Sequence, residues 1–222
     1  MASNFDDNNI EKVLNTLKKE VKKWDVPVIN FMAVSTGDPF KVLVSTILSL
    51  RTKDGTTAVA SKRLFNKAST PKEIFKLGEK KVSKLIYPVG FYNVKAKKIV
   101  KICKRLVDEY DSVVPNDLDE LLKFDGVGRK TANLVVTAGF NKPGVCVDIH
   151  VHRISNRFGY LNTKTPEQTE MELRKKLPKR YWIDYNYLLV SFGQHLCRPV
   201  SPFCSVCPVE KYCMRIGVQR NR

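Results

Sequence analysis

The run Leu118-Asp119-Glu120-Leu121-Leu122-Lys123-Phe124-Asp125-Gly126-Val127-Gly128-Arg129-Lys130-Thr131-Ala132-Asn133-Leu134-Val135-Val136 decides how the chain reads. Leu118 to Phe124 reads as a short helix and Arg129 to Val136 as a second one. Between them two glycines flank one apolar residue, so the backbone reverses within three positions. Glycine tolerates the positive φ that such a turn requires. A hairpin of this kind brings its amides and a helix N-terminus to one place, which suits a phosphate group. An ordinary link between helices uses the same turn with no ligand. Lys130 falls in the first turn of the second helix. It reads either as a solvated or phosphate-pairing cation or as a nucleophilic amine that forms a Schiff base with a sugar carbon.

Outward from the hairpin the chain is helical almost throughout. Ile10, Val13, Leu14, Leu17 and Val21 follow a helical stripe, as do Phe40, Leu43, Val44, Ile47 and Leu48. Asp38-Pro39, Thr70-Pro71 and Thr165-Pro166 are start signals, a capping side chain followed by proline at the first helical position. Gly78 reads as a stop. Asn93 to Tyr110 carries Ile99, Ile102, Leu106 and Val107 at helical spacing. The one strand-like run, Val145-Cys146-Val147, is too short to anchor a sheet. The expected fold class is all-α, and Asn141-Lys142-Pro143-Gly144 is the clearest interior breaker.

Composition narrows the function classes. In 222 residues, 39 Lys+Arg face 22 Asp+Glu, a formal net charge of +17. A basic surface of this size suits a polyanion, because it displaces counterions from phosphates. A lysine-rich solvated surface is the plainer reading. With 43% hydrophobic residues the chain is not a disordered tail. Uncharged stretches such as Val42 to Leu50 fall far short of the roughly 18 apolar residues of a membrane helix. Met1-Ala2-Ser3-Asn4-Phe5-Asp6-Asp7 shows no secretory signal, so an intracellular protein is expected.

Asp148 reads as a helix cap or as a catalytic carboxylate. His150 and His152, two residues apart, do not share a helix face and so do not form a metal pair. Each reads as a packing residue or a phosphate contact. Cys103 and Cys146 read as buried structural thiols. Cys197, Cys204, Cys207 and Cys213 follow the spacing Cys-x6-Cys-x2-Cys-x5-Cys within the last 26 residues. Four thiolates so close imply zinc or an iron–sulfur cluster, and spacing alone does not separate the two. Arg198, Lys211 and Arg215 surround this loop and are expected to face a phosphate backbone.

Leu122 to Asn133, then Val147-Asp148-Ile149-His150, then the four-cysteine spacing closely resemble the endonuclease III family of helix-hairpin-helix DNA glycosylases. The likeness runs from about Asp38 to Cys213. It includes Ser45-Thr46-Ile47-Leu48-Ser49 and Gly90-Phe91-Tyr92-Asn93-Val94-Lys95-Ala96. The resemblance implies an all-α, two-lobed fold: a six-helix barrel domain over 33–142, with the helix-hairpin-helix at about 117–140, and a second domain from 1–32 and 143–222. The second domain would carry a [4Fe-4S] cluster on the loop 197–213, ligated by Cys197, Cys204, Cys207 and Cys213. It implies a monomer acting on double-stranded DNA with damaged pyrimidines or abasic sites. The damaged base is flipped out, since its glycosidic carbon is unreachable in the stack.

Lys130 matches the family's Schiff-base nucleophile and Asp148 its essential carboxylate. Members that only hydrolyse the glycosidic bond lack this lysine, so a bifunctional glycosylase and abasic-site lyase is expected. Gly126, Val127, Gly128, Arg129 and His150 are the matching DNA contacts. Two positions depart from the family pattern. Arg51 stands where many bacterial relatives have a glutamine that fills the space left by the flipped base. Phe91 stands where a leucine wedge is common, and apolar wedges part base steps; a core aromatic is the other reading of Phe91. A monofunctional mismatch or alkyl-base glycosylase and a non-catalytic DNA-binding module are the competing functions.

Overall fold

The computed structural model describes residues 5–24 and 37–222, and over these the chain is helical with no strand. The expected boundary between 32 and 33, and residues 1–4, lie outside the described residues. The chain divides into two compact units, Met1–Pro27 with Val145–Arg222, and Val28–Gly144. The α-helices among the described residues are α1 (Asp7–Glu20), α2 (Pro39–Ser49), α3 (Asp54–Lys67), α4 (Pro71–Ile86), α5 (Tyr92–Glu109), α6 (Leu118–Leu122), α7 (Arg129–Leu134), α8 (Ile149–Phe158), α9 (Pro166–Lys176) and α10 (Trp182–His195).

Short polar signals start several of these helices. Asp38 Oδ1 accepts from Phe40 N at 2.9 Å and Pro39 occupies the first turn of α2. Thr70 Oγ1 accepts from Glu73 N while Glu73 accepts from Thr70 N, a reciprocal box that opens α4. The Ser69 amide and then the Thr70 amide, both donating to the Glu73 carboxyl, hold it below its ordinary value. Thr165 Oγ1 accepts from Gln168 N at the start of α9.

Of three local expectations, two hold and one needs correction. Gly78, at φ +72° and ψ 167°, is non-helical and stops the first helical segment of α4 as expected, and a second segment resumes the buried stripe at Val82 and Ile86. The second hairpin helix is regular only to Leu134 and passes into a π-helical turn, Val135–Gly139. There Gly139 packs against Pro39, whose Cα lies 3.1 Å from where a Cβ would stand. The run Val145-Cys146-Val147 is buried but pairs in no sheet.

In the first unit α1 shares one apolar core with residues more than 130 positions away. Ile10, Val13, Leu14 and Leu17 pack with Val151, Ile154, Phe158, Leu189 and Phe192. Phe5 stacks on Phe158 at 5.6 Å between ring centres. Tyr181 donates to Glu11 at 3.0 Å at the edge of this core. In the second unit α4 and α5 form an antiparallel pair that buries Ile74, Val82, Ile99 and Leu106. This pair, with α2, sets the platform on which the turns at 50–53 and 87–91 stand.

Candidate active site

The hairpin in the second unit is built as its sequence requires. Phe124 accepts at its carbonyl from Val127 N at 3.0 Å, which closes the turn. Gly126 has φ +85°, a region that L side chains adopt only at a cost. Val127 is buried and anchors the turn from below. Gly128 differs from Gly126: it is the extended N-cap of α7 at φ −90°, and a Cβ there would meet nothing within 4 Å. One glycine therefore serves the backbone, and the other keeps the approach to the helix N-terminus open. Lys130, the second residue of α7, is exposed, and Arg129 is half-buried.

Arg51 and Phe91 lie in the same unit and meet. The Arg51 guanidinium lies 5.8 Å from the centre of the Phe91 ring. Both residues have left-handed backbone, φ 52° and 57°. Phe91 is 61% exposed, so the core reading of this aromatic is set aside. Beneath the two turns sits Lys95, which sequence reasoning passed over. Burial pushes its ammonium down to about 8. Its signal was available: Lys95 lies one helical turn before Ile99, on the stripe that α5 buries.

In the other unit Asp148 caps α8. Its Oδ1 accepts from His150 N at 2.8 Å and from Val151 N at 2.9 Å. The carboxylate is 8% exposed and its chain position is fixed by the buried Val145 to Val147 before it. His150 Nδ1 is 3.1 Å from Arg153, and a Cβ on Gly193 of α10 would stand 2.4 Å from that nitrogen. The ring is thus packed between helices. His152 bonds Thr169 Oγ1 at 2.7 Å within a polar cluster that also holds Asn156 and Thr163.

Cys197, Cys204, Cys207 and Cys213 line one cavity together with Arg157, Phe158 and Phe192. Arg157 donates to Cys197 Sγ at 3.3 Å, and the Arg215 amide donates to Cys213 Sγ at 3.3 Å. Burial pushes Cys207 up to about 11 and Cys213 up to about 12, so bare thiolates are disfavoured in this setting. A bound metal reverses that preference, because a coordinating thiol is deprotonated. Among the described residues no three His, Cys, Asp or Glu side chains converge to hold a single metal ion. The flanking cations are engaged locally: Arg215 pairs with Glu210, Lys211 lies over Tyr212 and Arg198 over Phe203. Cys103 and Cys146 are buried.

Residues 44–179 match the model of the HhH-GPD superfamily of base excision DNA repair proteins. Endonuclease III of Thermotoga maritima is 49% identical over 79% of this chain and 83% of its own length. The chain belongs to the endonuclease III family. A solved non-covalent endonuclease III–DNA complex superposes with a TM-score of 0.84 at 33% identity, over 94% of this chain and 95% of that one. A trapped endonuclease III–DNA covalent intermediate, an estranged-adenine complex, gives 0.76 at 37% identity, over 80% of this chain and 84% of that one. The all-helical fold is that of this glycosylase family. No helix among the described residues is long and apolar enough to cross a membrane.

Proposed function

We propose that this endonuclease III family member is a bifunctional DNA glycosylase and abasic-site lyase that removes oxidised pyrimidines and nicks the strand. Lys130 carries the reading: it is an exposed amine two residues past a glycine hairpin open to a phosphate. The relative that was trapped covalently on DNA supports the same chemistry.

In the proposed reaction the amides of Gly126, Gly128 and Arg129 hold a backbone phosphate, while the Val127 amide stays on Phe124 O and keeps the turn closed. The excess of 17 positive charges favours the duplex as a polyanion. Arg51 and Phe91, exposed on adjacent turns, enter the duplex where the damaged base leaves it. The Lys130 nitrogen attacks the sugar C1′, and the C1′–N bond breaks with its electron pair leaving on the base. The C1′–O4′ bond then breaks to leave an imine, and the two amine protons pass to the departed base and to O4′. Removal of a C2′ proton then expels the 3′ phosphate, breaking the C3′–O bond, and water releases the enzyme. Asp148 stabilises the positive charge that develops on the sugar. His150 serves chiefly to pack α8 onto α10 and touches DNA only through its exposed edge.

The four cysteines are the ligands of a [4Fe-4S] cluster in this reading. Their sulfurs receive hydrogen bonds from a guanidinium and a backbone amide, donors that suit cluster thiolates. A lone tetrahedral zinc would need all four sulfurs about 2.3 Å from one point. The cluster's contribution is structural, closing a loop that has no regular structure beyond the short turn Glu210–Tyr212.

Borohydride reduction tests the proposal. Wild-type protein on abasic DNA is expected to give a covalent adduct, and Lys130→Gln none. A wild type that binds the duplex and is never trapped removes the lyase from the account.

A further inference from the structure

Lys95 is 6% exposed, and among the described residues no carboxylate pairs with it. Its three ammonium donors are all used. They go to Leu48 O at 2.8 Å, to Leu50 O, and to Thr52 Oγ1 at 3.1 Å. The two carbonyls belong to the C-terminal end of α2, where helices leave carbonyls without partners. Thr52 Oγ1 also accepts from Gly90 N at 3.2 Å, which ties in the second turn. Gly90 is pressed so close that a Cβ would stand 2.7 Å from Arg51 O. One buried cation thus clamps the segment that carries Arg51 to the turn that carries Phe91.

Both tips need such a clamp. Left-handed backbone at a non-glycine residue is strained and persists only where the surroundings fix it. We propose that Lys95 is a positioning residue that holds Arg51 and Phe91 ready to part the duplex beside the damaged base. This rests on the glycosylase reading above. A simple helix cap would need the two carbonyl bonds and would be indifferent to Thr52 and Gly90.

The distinction can be read from substrate structure. Unpairing and unstacking a base costs free energy, and least for a base already unpaired. A loosened wedge therefore harms release from a paired duplex more than release from a bubble. The probe is thymine glycol placed opposite adenine in a fully paired duplex, and in a three-nucleotide bubble of the same sequence. Single-turnover base release is measured for wild type, Lys95→Met and Thr52→Val.

The ratio of paired to unpaired rates is expected to fall at least tenfold in Lys95→Met. In Thr52→Val it is expected to fall in the same direction and by less. Equal losses on both substrates, or no loss in either variant, overturn the positioning role. If Lys95→Met does not fold, Thr52→Val decides, since valine keeps the shape and removes only the hydroxyl. A wild type that releases base from neither substrate overturns the glycosylase reading as well, whereas an active wild type with unchanged ratios overturns only the role of Lys95.

Discussion

Asp148 caps α8 through one carboxylate oxygen, and asparagine caps helices about as well as aspartate. The cap and the charge can therefore be separated. Asp148→Asn should retain the bonds to His150 N and Val151 N and lose the favourable charge at the helix N-terminus, about 0.3–1 kcal/mol, together with its attraction for Arg153. Thermal melting should then move by a few degrees at most. Base release should nevertheless fall by at least two orders of magnitude with binding retained, because the developing sugar cation loses its counter-charge. Near-normal turnover in Asp148→Asn would leave the residue as a cap and nothing more. Asp148→Ala is the control: it removes cap and charge together, and the melt should show the difference.

At the scale of the hairpin the two glycines should part company. Gly126→Ala places a side chain at φ +85°, at a cost of about 1–2 kcal/mol, while the Lys98 side chain beside it can swing away. Gly128→Ala meets no atom, and its φ of −90° suits alanine, so stability should hold or rise slightly. Its methyl does obstruct the approach to the α7 amides. Equilibrium denaturation should therefore single out Gly126→Ala, and duplex affinity should drop in Gly128→Ala. Equal affinities for wild type and Gly128→Ala would remove the phosphate from the hairpin. The starts of α2, α4 and α9 were legible because Asp38, Thr70 and Thr165 make their bonds within three residues. The π-helical turn at Val135–Gly139 was not, because it answers to the approach of Pro39, a neighbour about 100 positions earlier. The buried stripe placed Lys95, but its role was not legible for a related reason: its acceptors lie on α2 and the following turn.

On the scale of the molecule, periodicity gave α1 its amphipathic stripe but no address. Its place follows from a core that joins Ile10 and Leu14 to Phe158 and Phe192 across the length of the chain. The spacing of the four cysteines marked them as candidate metal ligands, and they do line one cavity, whereas the identity of a metal there depends on how far apart the sulfurs stand. Phe158, Phe192 and Cys197 belong at once to this core and to the wall of the cysteine cavity. Loss of the metal should therefore spread into one unit and spare the other. Anaerobically purified protein is expected to contain iron and acid-labile sulfide, and stoichiometric zinc in native material would refute the cluster. In Cys207→Ser, whose site cannot close, hydrogen exchange should accelerate over residues 197–218 and in α8 and α10. Amides of α4 and α5 should keep their protection, because Ile74, Val82, Ile99 and Leu106 bury against one another within Val28–Gly144. Uniform loss of protection in both units would mean that they unfold as one, and that the cysteine loop supports the whole chain rather than its own unit.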